Sequence, residues 1–123
     1  MKIHLFFATS LMLLLANQKC AFAHAFLDHA DPRVGSEIAT APVEVKVWFT
    51  QDLEPAFSSL QVFDANGTEV DKKDSHPDSK DKTLLIISVP PLQAGTYKIV
   101  WKVVSVDTHH TAGDFKFTIK PKE

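Results

Sequence analysis

From residue 43 onward the apolar residues of this chain recur at every second position, and no segment there sustains a helical stripe. Residues 43–50 alternate cleanly, placing Val43, Val45, Val47 and Phe49 on one face. Residues 58–63 form a second short strand candidate, followed by Asn66-Gly67, a strong hairpin turn signal that leads into residues 68–70. Residues 83–89 are β-branched and apolar and stop at Pro90-Pro91. Residues 96–106 put Tyr97, Ile99, Trp101 and Val103 on one side, and residues 114–120 point Phe115, Phe117 and Ile119 inward. Short strands separated by turn signals describe a small all-β sandwich. The charged and polar stretch 71–82 reads as a long surface loop between strands.

The beginning of the chain has the three zones of a secretory signal: Lys2, an apolar run over residues 5–16, and a c-region ending in Ala21-Phe22-Ala23. The run is well short of the roughly 20 residues a spanning helix needs, so the segment reads as cleaved and not as a stable membrane anchor. Cys20 invites a lipoprotein reading, but Gln18-Lys19 before it are not the small or aliphatic residues such a site wants. A second frame, Ala23-His24-Ala25, would cut before Phe26 and discard His24. With cleavage after Ala23, residues 1–23 are a leader and residues 24–123 one domain. Met1, Met12 and Cys20 leave with the leader, so that domain has no disulfide and no soft metal ligand. It keeps 11 basic against 15 acidic residues, a formal charge of −4 where the whole chain has −2. A mildly acidic surface argues against nucleic acid or anionic membrane as a partner.

Export makes His24 the first residue of the mature protein. A free N-terminal histidine chelates by itself, because its α-amino nitrogen and ring Nδ1 close a six-membered ring on one ion. The amine, with an ordinary pKa of about 7.7–8.0, is also easier to deprotonate than a lysine. A second candidate is Asp107-Thr108-His109-His110, at the end of a long strand and before Gly113. In extended backbone Asp107 and His109 present a carboxylate and an imidazole on one side while His110 points to the other. Together the two elements supply three nitrogens and one oxygen, a donor set suited to Cu(II) or Ni(II), with Cu(II) at the top of the divalent affinity order. The remaining candidates read as ordinary structure. His29 and His76 are surface residues, and Trp48, Trp101, Tyr97 and the phenylalanines are core or sheet-face packing.

Several segments in order resemble the CopC family of periplasmic copper-resistance proteins: His24-Ala25-Phe26-Leu27 with Asp31-Pro32 and Gly35; residues 43–50 leading into Glu54-Pro55-Ala56-Phe57-Ser58; residues 92–101; and residues 104–109 with Gly113 and Phe115-Lys116-Phe117. The resemblance implies an Ig-like Greek-key β-sandwich or barrel of about seven strands that carries copper in the periplasm and does no chemistry on it. It further implies one Cu(II) ion per chain, held by the amine and imidazole of His24, the carboxylate of Asp107 and the imidazole of His109. Some members have a Glu near the copper where Gln51 aligns, so water is a fair substitute for a further side-chain ligand. The Met-rich Cu(I) loop of some members has no counterpart in a mature chain without methionine. A CopD-like inner-membrane permease is the partner the resemblance implies.

Two other readings use the same residues. Copper-dependent polysaccharide monooxygenases also bind copper through an N-terminal His and a second His on a β-sandwich, although Asp107 would fill a position that O₂ or peroxide needs open. A metal-free sandwich acting as an interaction module is the other. Fold and ligand likeness alone do not establish catalysis.

Overall fold

The computed structural model describes residues 25–123; the leader, its cleavage point and His24 lie outside the described residues. The chain forms two four-stranded sheets. One has the order β1 (Leu27–Asp31), β3 (Glu44–Phe49), β6 (Leu84–Ser88), β5 (His76–Pro77), and the other β2 (Glu37–Ile38), β8 (His110–Ile119), β7 (Gly95–Val104), β4 (Ser59–Phe63). Every pairing is antiparallel except that of β2 with β8. The architecture is the expected β-sandwich, and two of its eight strands are only two residues long. No helix among the described residues is long and apolar enough to cross a membrane.

The alternation read from the sequence sets the two inner faces. Val45, Val47 and Phe49 of β3 meet Ile99, Trp101 and Val103 of β7 and Phe115, Phe117 and Ile119 of β8 in one buried cluster. Inward Leu85 and Ile87 of β6 join them, and burying such side chains gives about 1.5–3 kcal/mol each. Val43 departs from the expectation. It precedes the first paired residue of β3 at the far end of the sandwich, and its side chain is 79% exposed.

Residues 71–82 are the expected surface segment, but their polar side chains also finish the sheet edges. Asp71 accepts from the Val62 amide, Ser75 from the Leu60 amide and Asp74 from the Ser88 amide. These amides would otherwise lack partners. The bonds from Ser88 hold the Asp74 carboxyl below the usual range, and bonds from the Lys80 and Asp81 amides do the same for Asp78.

β7 and β8 form the longest hairpin, in register from Gly95↔Ile119 to Val104↔His110. β8 starts at His110, so Gly113 sits mid-strand opposite Trp101 and does not open the strand. A Cβ there would lie 2.5 Å from Cζ2 of Trp101, so the missing side chain makes room for the indole. This hairpin ends in the turn that carries Asp107 and His109.

Candidate metal centre

Residues 105–109 close the β7–β8 hairpin as a tight turn and do not continue the strand. The Ser105 amide donates to the His109 carbonyl (3.0 Å) and the Thr108 amide to the Ser105 carbonyl (2.8 Å). Thr108 takes the left-handed conformation, with φ of 70°, which is unusual for a β-branched residue. The turn is also tied to the crossing between β3 and β4. The Val106 amide donates to Asp52, the Glu54 amide to Val104, and Leu53 pairs with Ser105.

This geometry changes how Asp107 and His109 meet. They do share one side, but the left-handed residue between them achieves it, not strand alternation. Nδ1 of His109 lies 3.3 Å from Oδ2 of Asp107, and both side chains are about half exposed. An imidazole nitrogen and a carboxylate oxygen, both donor types that a metal ion accepts, thus meet at the tip of the turn. The other carboxylate oxygen, Oδ1, accepts from the Ser105 hydroxyl. That bond is the main reason the Asp107 carboxyl is held below the usual carboxylate range; His109 contributes in the same direction. Asp107 is therefore an anion at neutral pH, as a metal ligand must be.

The start of the described chain is anchored at the same end. Ala25 is fully buried and its carbonyl accepts from the Thr111 hydroxyl, two residues beyond His109. Phe26 is clamped to Thr50, donating its amide to Oγ1 (3.0 Å) and accepting the Thr50 amide (2.9 Å), next to Gln51. Among the described residues no three His, Cys, Asp or Glu side chains form a group able to hold a metal. Asp107 and His109 are the carboxylate and imidazole that the described residues bring together at this turn.

The other histidines are placed differently. His29 stacks on Trp48 with ring centroids 4.3 Å apart and 9° between planes, and its Nδ1 lies 2.7 Å from Asp28. His76 bonds the Asp74 carbonyl. His110 is exposed on β8 opposite Val104, in the strand and not in the turn. What the sequence did not reveal is Ser105. A serine between valines carries no signal in spacing or composition, yet its buried hydroxyl contacts Asp107.

The CopC domain family matches residues 27–120, nearly all of the described chain. The chain belongs to the CopC family. CopC from Methylosinus trichosporium OB3b superimposes with a TM-score of 0.76 at 32% identity, over 81% of this chain and 97% of that one. PcoC, a methionine-rich copper resistance protein from Escherichia coli, superimposes with a TM-score of 0.70 at 31% identity, over 79% and 99%. The copper transport protein CutJ of Bacillus subtilis is 30% identical over 115 residues, which make up 89% of this chain but only 20% of CutJ. CopC proteins handle copper in resistance and transport and are not enzymes, so membership sets aside the monooxygenase reading.

Proposed function

We propose that this CopC chain is exported to the periplasm, cleaved after Ala23, and there binds one Cu(II) ion as a copper carrier or buffer. The amine and imidazole of His24, Oδ2 of Asp107 and the imidazole of His109 hold the ion, and water completes the site beside Gln51. The observation that carries this reading is the bond from Thr111 to the Ala25 carbonyl. It ties Ala25, the residue after His24, to the strand that follows the Asp107–His109 turn, which supports a terminus close to the carboxylate and imidazole that stand 3.3 Å apart.

The chemistry follows from the donors. Nitrogen and oxygen ligands favour Cu(II), while Cu(I) prefers the thiolate or thioether that residues 24–123 lack. Reduction therefore loosens the cargo and serves as a release step. Delivery to a CopD-like permease in the inner membrane fits a small carrier whose site lies at one exposed end.

Titration with Cu(II) followed by EPR tests the reading. One equivalent should give a tetragonal nitrogen–oxygen spectrum. His109→Ala should weaken binding more than Asp107→Ala, because imidazole is the stronger donor and water can replace a carboxylate. His110→Ala should be nearly silent. Wild-type affinity and spectra in both the Asp107 and His109 variants would remove this turn from the site, and no stoichiometric binding at all would leave a metal-free interaction module.

A further inference from the structure

Ser58 and Ser105 are the buried polar side chains among the described residues, Ser105 at 1% exposure. A buried hydroxyl needs partners. Ser58 finds them in the Val104 backbone, accepting its amide at 3.1 Å, and so ties β4 to the hairpin. Ser105 instead serves the turn: its hydroxyl donates to Oδ1 of Asp107, and its oxygen lies 3.4 Å from the His109 amide. Its own backbone is fixed from the core side by the pairing with Leu53. One immobile atom thus touches the side chain of one proposed ligand and the backbone of the other. With Oδ1 occupied by the hydroxyl, only Oδ2 faces Nδ1 of His109.

We infer that Ser105 is a positioning residue for the copper site: its buried hydroxyl fixes Asp107 as a ligand through the single oxygen Oδ2 and holds it in register with His109. The inference rests on the ligand set proposed above. Without the hydroxyl, the half-exposed carboxylate regains rotamer freedom and can turn either or both oxygens to the ion. Loss of an outer-shell partner of this kind costs about 10–100-fold in metal affinity, and the exposure of Asp107 puts Ser105 near the lower end.

The test is a double-mutant cycle of Ser105→Ala and Asp107→Ala, read by Cu(II) competition titration and EPR of the whole mature protein, with far-UV circular dichroism as the folding control. Ser105→Ala should weaken Cu(II) about tenfold and broaden the EPR spectrum into more than one species. In the Asp107→Ala background the same change should cost less than twofold, since the group it positions is gone. Equal losses in both backgrounds, or an unchanged affinity and spectrum in Ser105→Ala, would overturn the positioning role. If Asp107→Ala alone leaves Cu(II) binding untouched, the ligand assignment itself fails, which is a different outcome. Should Ser105→Ala not fold, NMR of the metal-free wild type decides. The Ser105 hydroxyl proton should be slow to exchange and should be lost in Asp107→Ala; a fast-exchanging hydroxyl in the wild type would overturn the inference.

Discussion

Replacing Gly113 by alanine should destabilise the protein, although glycine in a strand is ordinarily a liability. On entropy alone the change should stabilise by about 0.5–1 kcal/mol, because glycine loses the most freedom on folding. The structure opposes this with contacts. The added Cβ would stand 2.5 Å from Cζ2, 2.8 Å from Cε2 and 3.1 Å from Nε1 of Trp101. The indole has little room to retreat: it is 7% exposed, and its ring meets Phe49 edge-on at 5.3 Å between centroids. Forcing extra atoms into a packed core costs about 1–3 kcal/mol, and overlaps this short on a confined ring belong to the upper part of that range, about 2–3 kcal/mol, which leaves a net loss of about 1–2 kcal/mol. In a domain of this size that lowers the melting temperature by roughly 5–15 °C. Urea denaturation followed by circular dichroism measures it, and adding Trp101→Phe to Gly113→Ala should recover part of the loss, a coupling of about 1 kcal/mol. A neutral or stabilising Gly113→Ala would mean that the indole is not seated on that glycine.

Three further outcomes follow from the side-chain chemistry. Copper should leave as pH falls from about 7.5 through 5, because protons compete with the ion for nitrogen donors; the Asp107 carboxyl, held low by Ser105, should still be ionised there. Competition titrations at several pH values check this, and an affinity flat over that range would contradict it. The fold should outlast the site in acid. The Asp74, Asp78 and Asp81 carboxyls are all depressed in the native state, so their stabilisation is present above the ordinary carboxylate pKa of about 3.9 and is lost as pH falls through the lower native values. Circular dichroism should be native at pH 5 and change only below about 4. Finally, a Cu(I) chelator should strip the reduced protein at concentrations that leave a comparable Cu(II) competition unaffected, and tight Cu(I) retention would contradict a purely nitrogen–oxygen site.

The sandwich was legible where strands are long and one-sided. In β3, β7 and the second half of β8 every second residue enters the core, so the period-two signal located β3 and β7 to within two residues and β8 only from Asp114, four residues after it begins at His110. Residues 58–63 and 83–89 are likewise strands, β4 and β6, and the signal faded in the bulged and the shortest strands for physical reasons. β1 bulges between Leu27 and His29, which breaks its alternation, and β2 and β5 are too short to have a period. The charged run 71–82 reads as solvated, because composition does not show that Asp71 and Asp74 accept from the amides of Val62 and Ser88. At the site, the residue types and their spacing singled out Asp107 and His109. Their approach depends on Thr108 adopting a positive φ, which nothing in a threonine announces. The anchors that shape this end, from Thr111 to Ala25 and from Ser105 to Asp107, are contacts of small hydroxyls that sequence patterns do not distinguish from solvated ones.

In the proposed site the mature terminus completes the centre that Asp107 and His109 begin. The most direct measurement compares Cu(II) affinity and EPR for the protein beginning at His24 with the same protein carrying one extra residue before it, after mass spectrometry of the exported protein has identified its first residue. Cleavage after Ala23, with tight one-to-one binding at a free His24 and much weaker binding in the extended form, is the predicted result, because the chelate ring needs amine and imidazole on one residue. A mature chain that starts at Phe26, or an extended form that binds Cu(II) as tightly with the same spectrum, would contradict it.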